Sequence, residues 1–286
     1  MKLDLIRLMR PHQWLKNGFV FAGLIFSQNW GNPDLLVQVL RAFAAFCCIS
    51  SMVYILNDWR DRAQDALHPV KKFRPLASGA VQTPAALGLA AALGLAGFFI
   101  ASLNTHAAWL LSLLALYVVM NLAYTWGLKH VPVVDVFMIA SGFLMRLLAG
   151  TVAVGIAPSR WLLLTGLFVA LFLGFSKRKS ESFHTPEQQR AVLQSYSPAL
   201  LDVLIAVSMT ATLTTYSLYA ISPEIQALHG ERLMLTVPLV VFGLFRYCYQ
   251  VQLGKGEDVS KDLLKDPWIL GAMGAWVLLF LSTKLF

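Results

Sequence analysis

The sequence predicts an all-α, polytopic membrane protein: about nine transmembrane helices bundled around a central cavity that opens to the cytoplasm and to the membrane. Three observations carry this prediction. Of 286 residues, 57% are apolar and only 13% charged, against roughly 25% charged in a soluble domain. Apolar runs long enough to cross a bilayer core, about 17–25 residues each, recur from end to end. Lys and Arg collect in a few short segments between those runs, as the positive-inside rule expects. No stretch is polar enough for a second core, so residues 1–286 are expected to form a single transmembrane domain.

In chain order, Leu3–Lys16 is an amphipathic opening and is expected to lie along the membrane interface. Nine spans follow, at 17–30, 35–57, 83–103, 107–127, 133–154, 161–176, 199–221, 233–252 and 267–286. The apolar run at 18–28 has no small-residue cleavage site after it, so it reads as a span and not a signal peptide. Gly88, Gly94 and Gly97, among many alanines, point to close helix packing. Cys47, Cys48 and Cys248 fall inside apolar runs at no metal-ligand spacing.

Orientation follows from the basic residues between the spans and at their ends. Seventeen lie in the N-terminal segment and the even-to-odd loops, against three (Arg160, Arg232 and Lys284) on the other side. The N-terminus and the long loops at 58–82, 177–198 and 253–266 are therefore expected to face the cytoplasm, and a plasma-membrane location follows. The net charge of +8 is accounted for by this distribution, so no nucleic-acid partner is expected; membrane lipids are the surroundings, and a homo-oligomer is left open.

The strongest chemical signal is Asn57-Asp58-Trp59-Arg60-Asp61-Arg62-Ala63-Gln64-Asp65, directly after an apolar span. If the helix continues, Asn57, Asp58, Asp61 and Asp65 share one face. Three carboxylates there repel one another unless a cation neutralises them, and hard oxygen donors in this number suit Mg²⁺, which takes a few carboxylates plus substrate phosphates. Asp58, Asp61 and Asp65 are the candidate ligands, with Asn57, Asp58 and Asp61 the candidate catalytic groups. The plainer alternative is a solvated acidic helix end paired with Arg60 and Arg62. Downstream, His68-Pro69-Val70-Lys71-Lys72-Phe73-Arg74-Pro75-Leu76-Ala77-Ser78-Gly79 places cations beside those carboxylates. Lys72 and Arg74 could hold phosphate oxygens, and Pro75 and Gly79 set a loop shape that topology alone does not require.

These two runs resemble the first signature of the intramembrane, UbiA-like prenyltransferases. Within that superfamily the chain is similar to the decaprenyl-phosphate phosphoribosyltransferase branch. The likeness lies in Arg10-Pro11-His12-Gln13-Trp14-Leu15-Lys16-Asn17, in Tyr124 to Lys129 with Val134-Asp135, in Arg146 with Ala149-Gly150, in Lys177-Arg178 with Glu181, and in Phe245-Arg246-Tyr247. Where aromatic-acceptor members carry a second Asp-rich motif, this chain reads Gly174-Phe175-Ser176-Lys177-Arg178-Lys179-Ser180-Glu181, which is basic. The resemblance implies 5-phosphoribosyl 1-diphosphate as donor, a polyprenyl phosphate as acceptor and Mg²⁺ as cofactor. Lys177 and Arg178 are expected on the acceptor phosphate.

Intramembrane charge usually faces a polar cavity, so Arg146 and Arg246 are expected to reach a phosphate or a carboxylate such as Asp135. Lys16, Asn17, Tyr124 and Lys129 are further candidate substrate contacts. Asp262 and Asp266, four apart, read as a solvated loop or a further metal or ribose contact. Two other functions compete: prenyl transfer to an aromatic ring, which the basic 177–179 run disfavours, and transport, which leaves the aspartate spacing unexplained. The D-G-x-x-A-R signature of CDP-alcohol phosphotransferases is absent.

Overall fold

In the computed structural model, residues 2–26, 29, 31–183, 191–255 and 265–283 are described, and their regular elements are all helices. The chain divides into two compact units, one of Met1–Lys129 with Met145–Ala157 and one of His130–Leu144 with Pro158–Phe286.

The first unit is organised on helix α3, Pro33–Leu67, the third helix after α1, Lys2–Met9, and α2, Ala22–Phe26. Asn32 starts α3 by accepting from the amides of Asp34 and Leu35, with Pro33 at the first helical position, where its missing N–H costs nothing. The helix stops at His68, before Pro69. At ~1.5 Å per residue, its 35 residues reach about 50 Å, against about 30 Å of bilayer core. The acidic motif is therefore helical and lies in the part that outruns the apolar core, not in a loop beginning at 58. Helix α4, Thr83–Ser102, packs on α3 through glycine: a Cβ at Gly94 would lie 2.7 Å from Met52 Sδ, and one at Gly97 2.7 Å from Ile49 Cγ1. Gly88, by contrast, has open space around it and takes no part in that contact. Helix α5, Ala107–Trp126, adds Leu110, Leu114 and Tyr117 to the apolar core of α3.

The expected first span at 17–30 is not one α-helix. Pro11–Phe21 is a 3₁₀ helix that runs into α2, and three residues of the expected span, 27, 28 and 30, lie outside the described set. The segment nevertheless runs antiparallel along α3. Arg10 meets Asp58, Trp14 meets Ser51, Asn17 meets Cys47 and Ser50, and Leu24 shares a core cluster with Val39 and Ala42. With a rise of ~2.0 Å per 3₁₀ residue and ~1.5 Å per α residue, residues 11–26 cover about 30 Å. Helix α6, Val134–Ala153, receives them at close range: a Cβ on Gly150 would lie 1.8 Å from the Val20 carbonyl oxygen. Backbone meets backbone there, and only glycine allows it. The opening helix α1 buries Leu8 among Ile55, Leu76 and Val81 while Leu3 and Ile6 stay exposed, the two-faced pattern expected at an interface.

The second unit contains the first half of α6, then α7, Arg160–Glu181, α8, Pro198–Ile221, α9, Pro223–His229, α10, Val237–Gln252, and α11, Pro267–Ser282. Proline at the start and a capping side chain recur: Ser197 accepts from the Leu200 amide, and Asp266 from those of Trp268 and Ile269, each satisfying donors the helix itself cannot. Helix α7 continues five residues past the expected end of its span, so the 177–181 run lies on its last turn. Seven described helices are long and apolar enough to cross a membrane, the seventh counting the 3₁₀ turn before α10, and α11 is a shorter apolar helix of 16 residues. The expected count of nine is therefore not recovered as nine regular helices.

Candidate active site

The acidic face of α3 gathers partners from four other places in the first unit. Asp58 Oδ1 accepts from Arg10 Nη2 at 2.6 Å and from Arg74 Nη1 at 3.1 Å. The same Arg74 nitrogen donates to Asp65 Oδ2 at 2.7 Å. Lys129 Nζ sits 2.7 and 2.9 Å from the two oxygens of Asp61. The Thr125 hydroxyl meets Asn57 Oδ1 at 3.1 Å. Asp58 and Asp65 are nearly sequestered, with 2% and 5% of their side chains exposed, whereas Arg10, Arg74 and Lys129 keep 21%, 28% and 17%. Arg10 and Arg74 therefore lie on the solvent side of Asp58 and Asp65, whereas Asp61, at 20%, is as open as its partner Lys129.

Each partner is held in place by local structure. Arg10 adopts left-handed backbone, φ 54°, directly before Pro11. This region is uncommon for a residue with a Cβ. It turns the chain from α1 into the 3₁₀ segment, with the guanidinium over the Tyr54 ring at 5.2 Å. Arg74 is carried by the 68–82 loop. There His68 Nδ1 accepts from the Val70 and Lys71 amides, Ser78 N donates to Arg74 O, and Gly79 takes φ 77°. Leu76 and Val81 pin this loop into the cluster of Leu8, Ile55 and Ala86. Lys129 and Thr125 come from the end of α5 and the short 3₁₀ turn after it.

The pairing differs from the salt-bridged helix end that Arg60 and Arg62 would form. Arg62 turns back to the Trp59 carbonyl and ring, and the acidic groups take cations from far along the chain. Of the sequence-derived candidates, Asn57, Asp58, Asp61, Asp65, Arg74 and Lys129 come together. Lys72 is exposed beside the Phe73 ring, and Tyr124 is half-buried next to Thr125. Thr125 itself was missed, and a lone threonine in an apolar helix gives no signal that could have found it.

The remaining candidates lie elsewhere. Arg146 takes partners within the first unit. Its Nε donates to Asn17 Oδ1 at 2.7 Å and its Nη2 to the Tyr117 hydroxyl at 2.9 Å, with the Phe46 and Tyr117 rings beside it. Asn17 is fully buried and bonds Cys47 and Ser50. These positions are eight or more residues before Asp58 on α3, about 12 Å down the helix at ~1.5 Å per residue. Lys16 is half-buried on the same 3₁₀ segment.

Within the second unit, Asp135 is fully buried. It accepts from Arg178 Nε at 2.8 Å and from the Tyr196 hydroxyl at 2.7 Å. Burial pushes the Tyr196 phenol up to about 12, so it keeps its proton and can donate. The same oxygen accepts from the amide of Val133, a β-branched residue at φ 68°. Arg178 also binds Glu181 at 2.6 Å, and Lys179 binds Asp202 at 2.7 Å. All three cations expected to form an anion-binding patch thus meet carboxylates of the chain, Lys177 the most loosely, at 4.0 Å from Glu181 with 39% of its side chain exposed. Arg246 binds Asp266 through Nε and Nη2 at 3.0 and 2.9 Å, not Asp135. Asp262, its expected companion, lies outside the described residues. No local pattern marks Tyr196 as a partner of Asp135.

The donor chemistry of the first cluster fits a divalent ion: three carboxylates and an amide oxygen, two of the carboxylates converging on one guanidinium nitrogen. Among the described residues, no three acidic, histidine or cysteine groups stand close enough to cage an ion unaided. A divalent ion bound there would have to complete its shell with water and substrate phosphate, as Mg²⁺ does.

A sequence model of the UbiA prenyltransferase family matches residues 18–265. A decaprenyl-phosphate phosphoribosyltransferase from Corynebacterium glutamicum is 32% identical over 279 residues, covering 96% of this chain and 84% of the relative. The protein of that description from Mycolicibacterium smegmatis is 33% identical over 287 residues, covering 96% and 90%. Among solved structures, a UbiA homolog from Archaeoglobus fulgidus bound to DMAPP and Mg²⁺ matches with a TM-score of 0.72 at 17% identity, over 98% of both chains. That likeness concerns the fold.

Proposed function

This chain belongs to the UbiA prenyltransferase family and is a multi-pass membrane transferase; from that premise we propose that it moves a 5-phosphoribosyl group from 5-phosphoribosyl 1-diphosphate to a polyprenyl phosphate, releasing pyrophosphate. The observation that carries this reading is the α3 ridge, where Asp58, Asp61 and Asp65 are paired with Arg10, Arg74 and Lys129. A diphosphate chelated to a divalent ion is complementary to such a set: carboxylates for the ion, cations for the remaining oxygens. The naming of two relatives that cover almost the whole chain supports the donor and acceptor.

In the reaction, the bond from the anomeric carbon to the diphosphate oxygen breaks and one to the lipid phosphate oxygen forms, the electron pair leaving with pyrophosphate. Asp58, Asp61 and Asp65, with Asn57, would hold Mg²⁺, which when bound neutralises charge on the leaving diphosphate. Arg10, Arg74 and Lys129 orient that diphosphate and stabilise the negative charge growing on it. Thr125 fixes the Asn57 amide. The acceptor phosphate is ionised near neutral pH, so no side chain needs to remove a proton. Catalysis is then positioning and charge stabilisation. The excess of Lys and Arg in these loops supports a site on the cytoplasmic face of the plasma membrane.

The test is product analysis with purified protein, Mg²⁺, ribose-labelled donor and a polyprenyl phosphate. Label is expected in the lipid fraction with one pyrophosphate released per transfer. Label that stays aqueous, while a polyprenyl diphosphate and an aromatic acceptor yield product, overturns the proposal.

A further inference from the structure

Resting on the reading that the α3 carboxylates receive a divalent ion with a diphosphate, we infer that Arg10, Arg74 and Lys129 are exchangeable partners. They hold Asp58, Asp61 and Asp65 until a metal–diphosphate complex arrives, then pass to its phosphate oxygens. Ion and diphosphate therefore enter as one unit.

Charge balance and geometry carry the inference. Three carboxylates face three cations, at 2.6 to 3.1 Å for Arg10 and Arg74 and 2.7 Å for Lys129, so the ridge is already neutral. A bare divalent ion would make it strongly positive. It would also have to enter where Asp58 and Asp65 converge, and a single Arg74 nitrogen bonds both of them there. A guanidinium cannot shed its charge to make room. It has to move, and it moves at little cost only if another anion receives it. A diphosphate is that anion, and its oxygens match the planar donor fork of arginine. The exposures agree: the carboxylates of Asp58 and Asp65 are sequestered while the cations over them reach solvent, so an incoming ligand meets the cations first. Thr125, Asn57 and the Tyr54 ring under Arg10 carry no charge that could replace them. On the adjoining loop, His68 feels the charges of Asp65, Arg74 and Lys71, while its Nδ1 is occupied by the Val70 and Lys71 amides.

Such an exchange makes metal and diphosphate binding mutually dependent, and linkage requires each to raise the affinity of the other by one common factor, typically about 5- to 150-fold. The experiment uses the full chain purified in detergent, with Mn²⁺ and inorganic pyrophosphate as probes. Protein-bound Mn²⁺ is counted by equilibrium dialysis, and the free ion is fixed by its electron paramagnetic resonance signal. In the wild type, pyrophosphate is expected to tighten Mn²⁺ binding within that range, and Mn²⁺ to tighten pyrophosphate equally. Arg74→Gln should bind Mn²⁺ alone more tightly than wild type, because the competing cation is gone, and should lose most of the gain from pyrophosphate. Lys129→Gln repeats the test at Asp61, so the outcome does not rest on one variant folding. Mn²⁺ binding that is independent of pyrophosphate, or weakened by Arg74→Gln in its absence, overturns the exchange. If Mn²⁺ binds, is lost in Asp58→Asn and shows no coupling, the exchange alone falls. If Mn²⁺ binds under neither condition, the metal reading falls with it.

Discussion

At the residue scale, the molecule uses charged groups in two distinct ways. The Asp61–Lys129 pair is partly exposed, and pairs of that kind contribute only about 0–1 kcal/mol to stability. Its value lies in charge placement. Lys129→Met is therefore expected to leave the melting temperature in detergent nearly unchanged while lowering kcat by about 10²–10³-fold, the usual cost of losing one electrostatic stabiliser. The Asp135–Arg178 pair is the opposite case, fully buried with a tyrosine completing its bonding. Asp135→Ala takes the fully buried carboxylate from Arg178 and leaves it Glu181, which should cost up to about 3–5 kcal/mol, whereas Asp135→Leu combined with Arg178→Met should recover most of that loss. Paired denaturation of the single and double variants decides it.

Asp266 adds a pH signature at the same scale. The hydrogen bond from Arg246 is the main cause holding its carboxyl below the ordinary value, and the amide of Ile269 adds to it. A carboxylate depressed in the folded state contributes stability that is present above its unfolded pKa and disappears as pH falls through the folded one. Asn in its place still caps α11 but carries no charge. The melting-temperature difference between wild type and Asp266→Asn should therefore be constant from neutral pH down to about 5 and shrink below about 4.

At the scale of elements, the irregular opening segment is the informative case. Hydropathy marks residues 17–30 as a span, and the chain does run beside α3 over a bilayer's depth. It does so largely as 3₁₀ helix, because Asn17 is buried against α3 and the Val20 carbonyl presses on Gly150. Gly150→Ala should accordingly abolish well-folded protein, since the clash is with backbone that cannot yield. Gly94→Ala meets only the flexible end of Met52 and Gly88→Ala meets nothing; both should fold. Fluorescence-detected size exclusion of the three variants checks the order. The glycine pattern was legible in the sequence as close packing, but which glycines are in contact was not, because spacing alone does not say which face of α4 meets α3.

At the scale of the whole molecule, a transferase that receives its metal with its diphosphate should be stabilised by the two together far more than by either alone, because a ligand stabilises only in proportion to its occupancy of the folded state. Thermal unfolding with Mg²⁺, pyrophosphate and both should show more than additive gain, and excess EDTA should remove the gain together with activity.

The membrane class, the approximate position of most spans, the acidic face of α3 and the cationic loop beside it are legible in the residue order. Those are local properties: hydropathy is averaged over some twenty residues, and a helix sets its own side-chain spacing. Tertiary structure alone decided which cation meets which anion. Arg10 finds Asp58 across 48 positions, Lys129 finds Asp61 across 68 and Arg146 finds Asn17 across 129. A buried charge takes whichever partner the packing of apolar helices brings within about 3 Å, and no feature local to either residue encodes that approach.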